Sequence, residues 1–219
     1  MTAPTAARSG SDRLHRERRG TGAGVRVAVV AVAAFLLGGL TSYGQLLLPP
    51  EFASLANSAS GWAIPTAVLV YVSARGYAEA ALGGAAAFVA LTLGYAFTSA
   101  IRGIEFDPVT WAVIGAVTGP VVGAAAFAVR REVWPAVVGA GLLAGVLVGE
   151  GVYGLTVIGD TTSPAYWWVV VALGATLLAV LAVRLRSVVP ALAMLGIAAT
   201  VAAAFLIAFT ALPSLLAGL

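Results

Sequence analysis

The sequence contains no cysteine and no lysine, and its single histidine, His15, lies in a polar segment near the N-terminus. Without lysine there is no phosphate-binding P-loop, no Schiff base with pyridoxal phosphate and no attachment point for retinal, so microbial rhodopsins are excluded. Without cysteine, disulfides, thiolate metal sites and c-type haem are excluded. The lack of a histidine in the apolar part of the chain also excludes bis-histidine haem and serine–histidine proteolysis within a membrane. We therefore expect neither a metal nor a cofactor.

Charged residues are scarce as well. They make up only 10% of the 219 residues, whereas 61% are hydrophobic and 26 are glycine, and the mean hydropathy is +1.01. A water-soluble domain of this size would not tolerate such a composition, so the chain is an integral membrane protein. We therefore expect the lipid bilayer as its partner, and nothing in the composition indicates binding to nucleic acid.

The N-terminal segment differs from the rest of the chain. Residues 1–24 carry five arginines against two acidic residues and are otherwise rich in small residues, which predicts a disordered basic cytoplasmic arm. The apolar run from Val25 to Leu48 is too long for the hydrophobic part of a secretory signal peptide, so we interpret it as an uncleaved first helix. Residues 25–219 are then the transmembrane domain.

Polar breaks divide that domain into seven apolar segments, each long enough to be considered as a span. They lie near residues 25–48, 56–74, 79–101, 108–129, 133–158, 165–183 and 188–212. The second is the weakest, because Asn57, Ser58 and Ser60 crowd its start. The pattern predicts an all-α polytopic transmembrane bundle of seven spans, in which short loops make successive helices antiparallel neighbours.

The distribution of arginine sets the expected orientation. If all seven segments span and the N-terminal arm is cytoplasmic, eleven of the twelve arginines are cytoplasmic, with Arg102 as the exception. If the second segment only dipped into the membrane, the turns at Arg130 and Arg184 would move outside and this bias would disappear. We therefore predict that the N-terminus lies inside and the C-terminus outside, in the plasma membrane of a bacterium.

Two stripes of glycine run along predicted helices at a spacing of four residues, which places each stripe on one helix face. Their members are Gly115, Gly119, Gly123, Gly141, Gly145 and Gly149. Small residues allow close approach of helices in lipid, so helix packing is the favoured interpretation. The alternative is a groove that docks a partner membrane protein. Pro120, directly after Gly119, predicts a kink in the fourth helix.

Glu150 is the one ionisable residue deep inside a predicted span. A charge at that depth costs several kcal/mol when it faces lipid, so we expect its side chain to face the bundle interior. One hypothesis makes it a substrate contact or proton site, with Tyr153 one turn away. The other makes it a buried carboxyl group hydrogen-bonded to Gln45, to Tyr95 or to a backbone carbonyl group.

Polar residues concentrate in the predicted outer half of the membrane, which favours a binding cavity that opens outward. The candidate cavity residues are Glu150, Tyr153, Gln45, Tyr95, Thr98 and Arg102. The alternative is that outer helix ends are more polar simply because they lie near headgroups. Arg102 is a candidate to pair with Glu150 or to bind an anion at the cavity mouth.

The stretch LLGGLTSYGQLLLPPEFASLANSASGW, which ends at Trp62, resembles a family of uncharacterised actinobacterial integral membrane proteins known only as a domain of unknown function. The run from Gly115 through Gly119 and Pro120 to Gly123 resembles the fourth helix of that family. The resemblance covers nearly the whole membrane portion and implies no activity, so no site residue follows from it.

A weaker similarity is to the substrate-capture subunits of energy-coupling-factor vitamin transporters, which have similar size, glycine–proline helices and polar residues near the outer face. The predicted seventh helix departs from them, and the small-residue coupling motif has no clear match. This similarity concerns a class and implies no particular ligand.

The sequence therefore predicts a small multi-pass protein that binds or moves a small-molecule ligand through an outward-facing cavity. The alternative is a structural or accessory subunit that binds a membrane protein partner. An enzyme is not expected, because Glu105, Asp107, Asp160 and Glu150 form no evident catalytic pair and no catalytic residue can be named.

Overall fold

In a computed structural model, the backbone is described for residues 6–216 and the side chains for residues 22–211. This part of the chain is all-helical. Its elements are α1 (Ala6–Leu47), a 3₁₀ helix (Pro50–Asn57), α2 (Ala59–Ser73), α3 (Tyr77–Ile101), α4 (Pro108–Ala128), α5 (Val133–Thr156), α6 (Pro164–Leu185) and α7 (Val188–Leu216).

Six segments of the described chain are helical, long enough and apolar enough to cross a membrane. They are Gly22–Leu47, Tyr77–Ile101, Pro108–Ala128, Val133–Thr156, Pro164–Leu185 and Val188–Ala211. The 3₁₀ helix and α2 are bent by 64° from each other, and they count as a seventh span only if this pair, which we call the broken second span, crosses the membrane as one. The prediction of an all-α multi-pass bundle is confirmed, and the count of seven holds when the bent pair is one span.

The break in the second span has a local cause. Pro49 and Pro50 cannot donate backbone hydrogen bonds, so α1 ends before them and a 3₁₀ helix starts with Pro50. Ser58 then adopts an extended backbone (φ −116°, ψ 152°) and separates the 3₁₀ helix from α2. Because α2 has only 15 residues, its first turn lies within the bundle rather than at the end of a full span.

The helix of the first span begins within the N-terminal arm. The backbone is helical from Ala6, in the segment 1–24. No proline lies between Pro4 and Pro49, so the helix of the first span can continue into the arm at the gain of one backbone hydrogen bond per residue. The arm's first five residues and its side chains up to residue 21 lie outside the described part of the chain.

The helices pack as two connected groups. α3 packs against both α1 and α4, whereas α5 packs against both α6 and α7. Glycine allows the closest approaches: a Cβ atom on Gly119 of α4 would lie 2.5 Å from the carbonyl oxygen of Gly84 on α3. A Cβ atom on Gly94 of α3 would overlap the backbone of Phe35 on α1. Packing at these sites therefore depends on the missing side chain.

Arginine side chains tie several helix ends together. Arg26 of α1 forms an ion pair with Glu79 of α3, with nitrogen–oxygen distances of 2.5 and 2.9 Å. Arg130 donates to the carbonyl oxygen of Ala74 at 2.5 Å, and Arg184 donates to that of Val129 at 2.7 Å. These contacts bring the start of the first apolar span, near Arg26, and the ends of α2, α4 and α6 to one end of the bundle, which we call the arginine end.

Candidate functional site

The first turn of α2 begins inside the bundle, where its free backbone N–H groups have no water to bind. The N–H of Ala59 donates to Oε1 of Glu150 at 2.5 Å, and the N–H of Ser60 donates to Oε2 at 2.6 Å. The N–H of Gly61 donates to Oγ of Ser58 at 2.9 Å. The N–H groups of the first three residues of α2 are therefore all satisfied by side chains.

Glu150 reaches α2 from the last third of α5. It lies six residues before the end of that helix at Thr156, about 9 Å along the axis, and only 3% of it is exposed. The flanking residues Gly149 and Gly151 face α7 and α6, respectively, in close contact. Small neighbours therefore allow three helices to meet at the level of the carboxylate.

Tyr166 adds a hydroxyl group to the same cluster. It lies one turn into α6, is buried, and its hydroxyl oxygen is 2.6 Å from Oγ of Ser58 and 2.9 Å from Oγ of Ser60. We use the name α2 cap site for the group formed by Ser58, Ala59, Ser60, Glu150 and Tyr166. It joins α2, α5 and α6 through polar contacts that are removed from lipid.

The chemistry of the α2 cap site suits a negatively charged group. The start of a helix carries a partial positive charge, and its N–H groups point outward along the axis. Two adjacent N–H groups match the two oxygens of one carboxylate, which Glu150 supplies here.

Glu150 faces the interior as the sequence predicts, but its hydrogen bonds differ from the expected ones. Its described partners are backbone N–H groups of α2, not Gln45 or Tyr95. Tyr95 is buried between aromatic rings, with ring centroids 4.7 Å from Phe106 and 5.8 Å from Trp62. A carboxylate accepts hydrogen bonds, and unpaired donors at a broken helix satisfy it better than an amide or a phenol that has its own neighbours.

The remaining candidate cavity residues do not converge on Glu150. Tyr153 is half-buried and lies 5.7 Å, ring to ring, from Phe209 on α7. Gln45 on α1 and Thr98 on α3 are half-buried, and the hydroxyl of Thr98 lies beside Gly39. The predicted polar set is therefore spread over several helix contacts.

Arg102 has other partners than the predicted ones. Its guanidinium group donates to the carbonyl oxygen of Ser42 and, at 2.9 Å, to the hydroxyl of the same residue. It also lies 5.5 Å from the centre of the Tyr43 ring. Ser42 in turn lies 2.9 Å from the hydroxyl of Ser99. Arg102 thus joins the ends of α1 and α3 and does not pair with Glu150.

The sequence pattern gives no site role to Ser58, Ser60 or Tyr166. The two serines reduce the apolar character of the second segment, and a serine before an apolar run is also the usual start of a helix. Tyr166 follows Pro164 at the start of α6, and nothing in its spacing indicates a partner more than a hundred positions earlier in the chain.

Each glycine of the two predicted stripes faces another helix of the same chain. Cβ atoms on Gly115, Gly119 and Gly123 would meet α3, and those on Gly141, Gly145 and Gly149 would meet α7. These faces are thus occupied within the bundle. The described residues contain no group of three histidine, cysteine, aspartate or glutamate side chains placed to hold a metal ion.

Comparison with known proteins places the chain in a family without assigning it an activity. No curated protein matches the sequence, and no solved structure matches it. The similarity to energy-coupling-factor subunits therefore has no further support. The model of a family of unknown function (DUF6518) matches residues 17–214, most of the chain. The chain is a multi-pass membrane protein that belongs to this family of unknown function.

Proposed function

We propose that the protein binds a small anionic solute at the α2 cap site and carries it across the membrane. The observation that supports this proposal is the broken second span, whose helix start lies inside the bundle and is filled by the carboxylate of Glu150. Broken helices whose N-termini point at anionic solutes are a recurrent feature of secondary transporters. In this proposal Glu150 occupies the anion position until a solute replaces it.

Electrostatics predicts that anion binding is coupled to proton uptake or movement of Glu150. Glu150 is 3% exposed, and a second negative charge beside an ionised buried carboxylate would be strongly unfavourable. An anion can therefore enter only if Glu150 takes up a proton or moves away. Proton uptake keeps the charge of the site constant, so anion binding is expected to be stronger at lower pH.

Access from outside is proposed along the 3₁₀ helix Pro50–Asn57. Most of its residues are exposed, whereas Ala56 is buried next to the extended Ser58. This short helix ends directly before the α2 cap site, and it is bent by 64° relative to α2. A change in that bend would open the site without disturbing the long helices.

The orientation and location belong to the same proposal. The arginine end, which holds Arg26, Arg130 and Arg184, is proposed to face the cytoplasm of a bacterium, in agreement with the positive-inside rule. The α2 cap site then opens toward the outer face. No catalytic activity is proposed, and the glycine stripes give no support to an accessory subunit because they face the chain's own α3 and α7.

The proposal is tested with the purified protein and a panel of small carboxylates and inorganic phosphate, each compared with a neutral amide or alcohol of similar size. A solute at a hundred times its dissociation constant stabilises a protein by about 2.7 kcal/mol, so thermal unfolding detects it. The stabilisation should increase as the pH is lowered. Indifference to every anion in the panel at all pH values would disprove anion binding.

Glu150→Ala provides the matched variant, because it removes the internal carboxylate and leaves the N–H groups of Ala59 and Ser60 free. Measured against its own unliganded state, this variant should be stabilised by acetate or formate more than the unmodified protein, and without pH dependence. Glu132→Ala, an exposed glutamate at the other end of α5, should respond like the unmodified protein.

A further inference from the structure

A groove of about 620 Å³ lies between α4 and α5, away from the α2 cap site. It is lined almost wholly by apolar groups, among them Tyr77, Pro120, Ala124, Ala128, Trp134 and Leu142. The groove exists because several side chains of α4 and α5 that face it are small and leave the space between the two helices unfilled. Its open side faces the surroundings of the bundle rather than the interior.

The groove runs from the arginine end into the apolar part of the bundle. Between Ala128 and Pro120, or between Trp134 and Leu142, it covers eight residues of helix, about 12 Å at 1.5 Å per residue. That length is most of the depth of one leaflet, whose hydrocarbon is about 15 Å thick. Tyr77 and Trp134 are both partly exposed and mark the headgroup level, where such rings prefer to lie.

An exposed cation, Arg131, lies near the end of the groove. The guanidinium group of Arg131 is exposed and lies 5.3 Å from the centre of the Phe127 ring. That ring lies 5.0 Å from the ring of Tyr77, which lines the groove. Arg131 is thus connected to the apolar lining of the groove through the rings of Phe127 and Tyr77.

Arg131 differs from Arg26, Arg130 and Arg184 in its partners. Arg26 is paired with Glu79, and Arg130 and Arg184 donate to backbone carbonyl groups. The guanidinium group of Arg131 has only the Phe127 ring among the contacts described for residues 22–211. Glu132 follows it in sequence, but the ion pair between Arg26 and Glu79 is the one found among those residues.

We propose that this groove binds an anionic phospholipid of the leaflet at the arginine end. One acyl chain fills the apolar groove between α4 and α5, and the phosphate group lies against the guanidinium of Arg131. The apolar lining excludes a polar solute from the groove, and the free cation at its mouth selects a negatively charged headgroup over a zwitterionic one. The bilayer supplies this ligand at the required depth.

Native mass spectrometry of the full-length protein in detergent tests the proposal, with phosphatidylglycerol and phosphatidylcholine of identical acyl chains as probes. One arginine near the headgroups should favour the anionic lipid roughly fivefold. Arg131→Gln should bring the ratio of the two lipids close to one, and Arg131→Lys should retain most of the preference. Arg186→Gln, which removes an exposed arginine of the α6–α7 turn, should leave the ratio unchanged.

The apolar half of the site is tested by filling the groove. Ala124→Phe should reduce retention of both lipids, whereas Ala116→Phe, on the exposed side of α4 and outside the groove, should not. An unchanged lipid ratio in Arg131→Gln would overturn the proposal. So would equal lipid retention in the two phenylalanine variants, or a protein dimer in place of lipid that Ala124→Phe abolishes. If Ala124→Phe does not fold, the comparison of Arg131→Gln with Arg186→Gln still decides.

Discussion

The carboxylate of Glu150 accepts the backbone N–H of Ser60 at 2.6 Å, across ninety positions of sequence. This contact fixes the start of α2 to the last third of α5, and the adjacent bond from Ala59 to the same side chain prevents rotation of the carboxylate. A helix can begin inside a membrane only if such donors are satisfied. The broken second span and the buried acid therefore depend on each other.

Glu150→Gln should destabilise the protein in its unliganded state. The glutamine amide has one oxygen, so it can accept from only one of the two N–H groups, and its own NH₂ group would face the other. An unpaired buried donor costs about 1–3 kcal/mol, which a thermal unfolding measurement in detergent can detect. Glu132→Gln, at an exposed glutamate without a side-chain cap hydrogen bond, is the control. Equal stability of the two variants would contradict the capping role of Glu150.

Hydropathy predicted the helical segments, but not the direction in which each side chain points. Of Glu150, Tyr153 and Gln45, Glu150 is the one with described hydrogen bonds to the broken second span. The glycine stripe distinguishes one face of α5, but small and apolar residues occupy its other faces as well, so no pattern indicates which helix Glu150 contacts. Packing therefore decides which neighbouring helix each face of α5 contacts.

The partners of Arg102 illustrate the same limit. Its isolation among outer residues indicated a role in binding an anion, yet it donates to Ser42 at the end of α1. A backbone carbonyl oxygen has two lone pairs and can accept from arginine even within a helix, and every helix supplies such acceptors. Sequence alone cannot tell which helix end lies nearest, so this partner was not predictable.

Gly119→Ala should destabilise the protein, because the added Cβ would lie 2.5 Å from the carbonyl oxygen of Gly84 and 2.9 Å from the Cα of Ala85. These are backbone atoms that cannot move aside without separating α3 from α4. We expect a loss of about 1–3 kcal/mol, as for other overpacked sites, in thermal unfolding of the purified protein.

Gly196→Ala is the matched control for that substitution. Nothing lies within 4 Å of a Cβ atom at this position of α7, and alanine favours a helix over glycine by up to about 1 kcal/mol. The two substitutions should therefore shift the unfolding temperature in opposite directions. A similar shift in both would mean that the contact between Gly84 and Gly119 does not limit helix approach.

Asp107 should make stability depend on pH at the start of α4. Hydrogen bonds from the Thr110 hydroxyl and the Val109 N–H hold the pKa of this carboxyl group below its ordinary value of 3.8. A lowered pKa in the folded state means that the stabilisation is complete above the unfolded-state pKa and is lost as the pH falls through the folded-state value. The Asp107→Asn variant has no carboxyl group to titrate at this position. Its unfolding temperature should therefore decline less than that of the unmodified protein as the pH is lowered below about 4. Parallel declines in the two proteins would exclude Asp107 as a source of the dependence.

The absence of cysteine allows the orientation of each turn to be measured by single substitutions, since the unmodified chain has no thiol to label. Ser187 in the α6–α7 turn and Asp160 in the α5–α6 turn are both exposed. If the arginine end faces the cytoplasm, a membrane-impermeant maleimide should label Asp160→Cys in intact cells and should label Ser187→Cys only after the membrane is opened. The reverse pattern would invert the proposed orientation.

The same labelling experiment tests whether the broken span crosses the membrane. Glu51 in the 3₁₀ helix and Arg75 after α2 are exposed at its two ends. Arg75 lies beside Ala74, whose carbonyl oxygen accepts from Arg130 at the arginine end, so the two ends should be reached from opposite sides. Glu51→Cys should react in intact cells and Arg75→Cys only after opening. Labelling of both from outside would make the 3₁₀ helix and α2 a re-entrant segment, and would reverse every later turn with respect to the first helix.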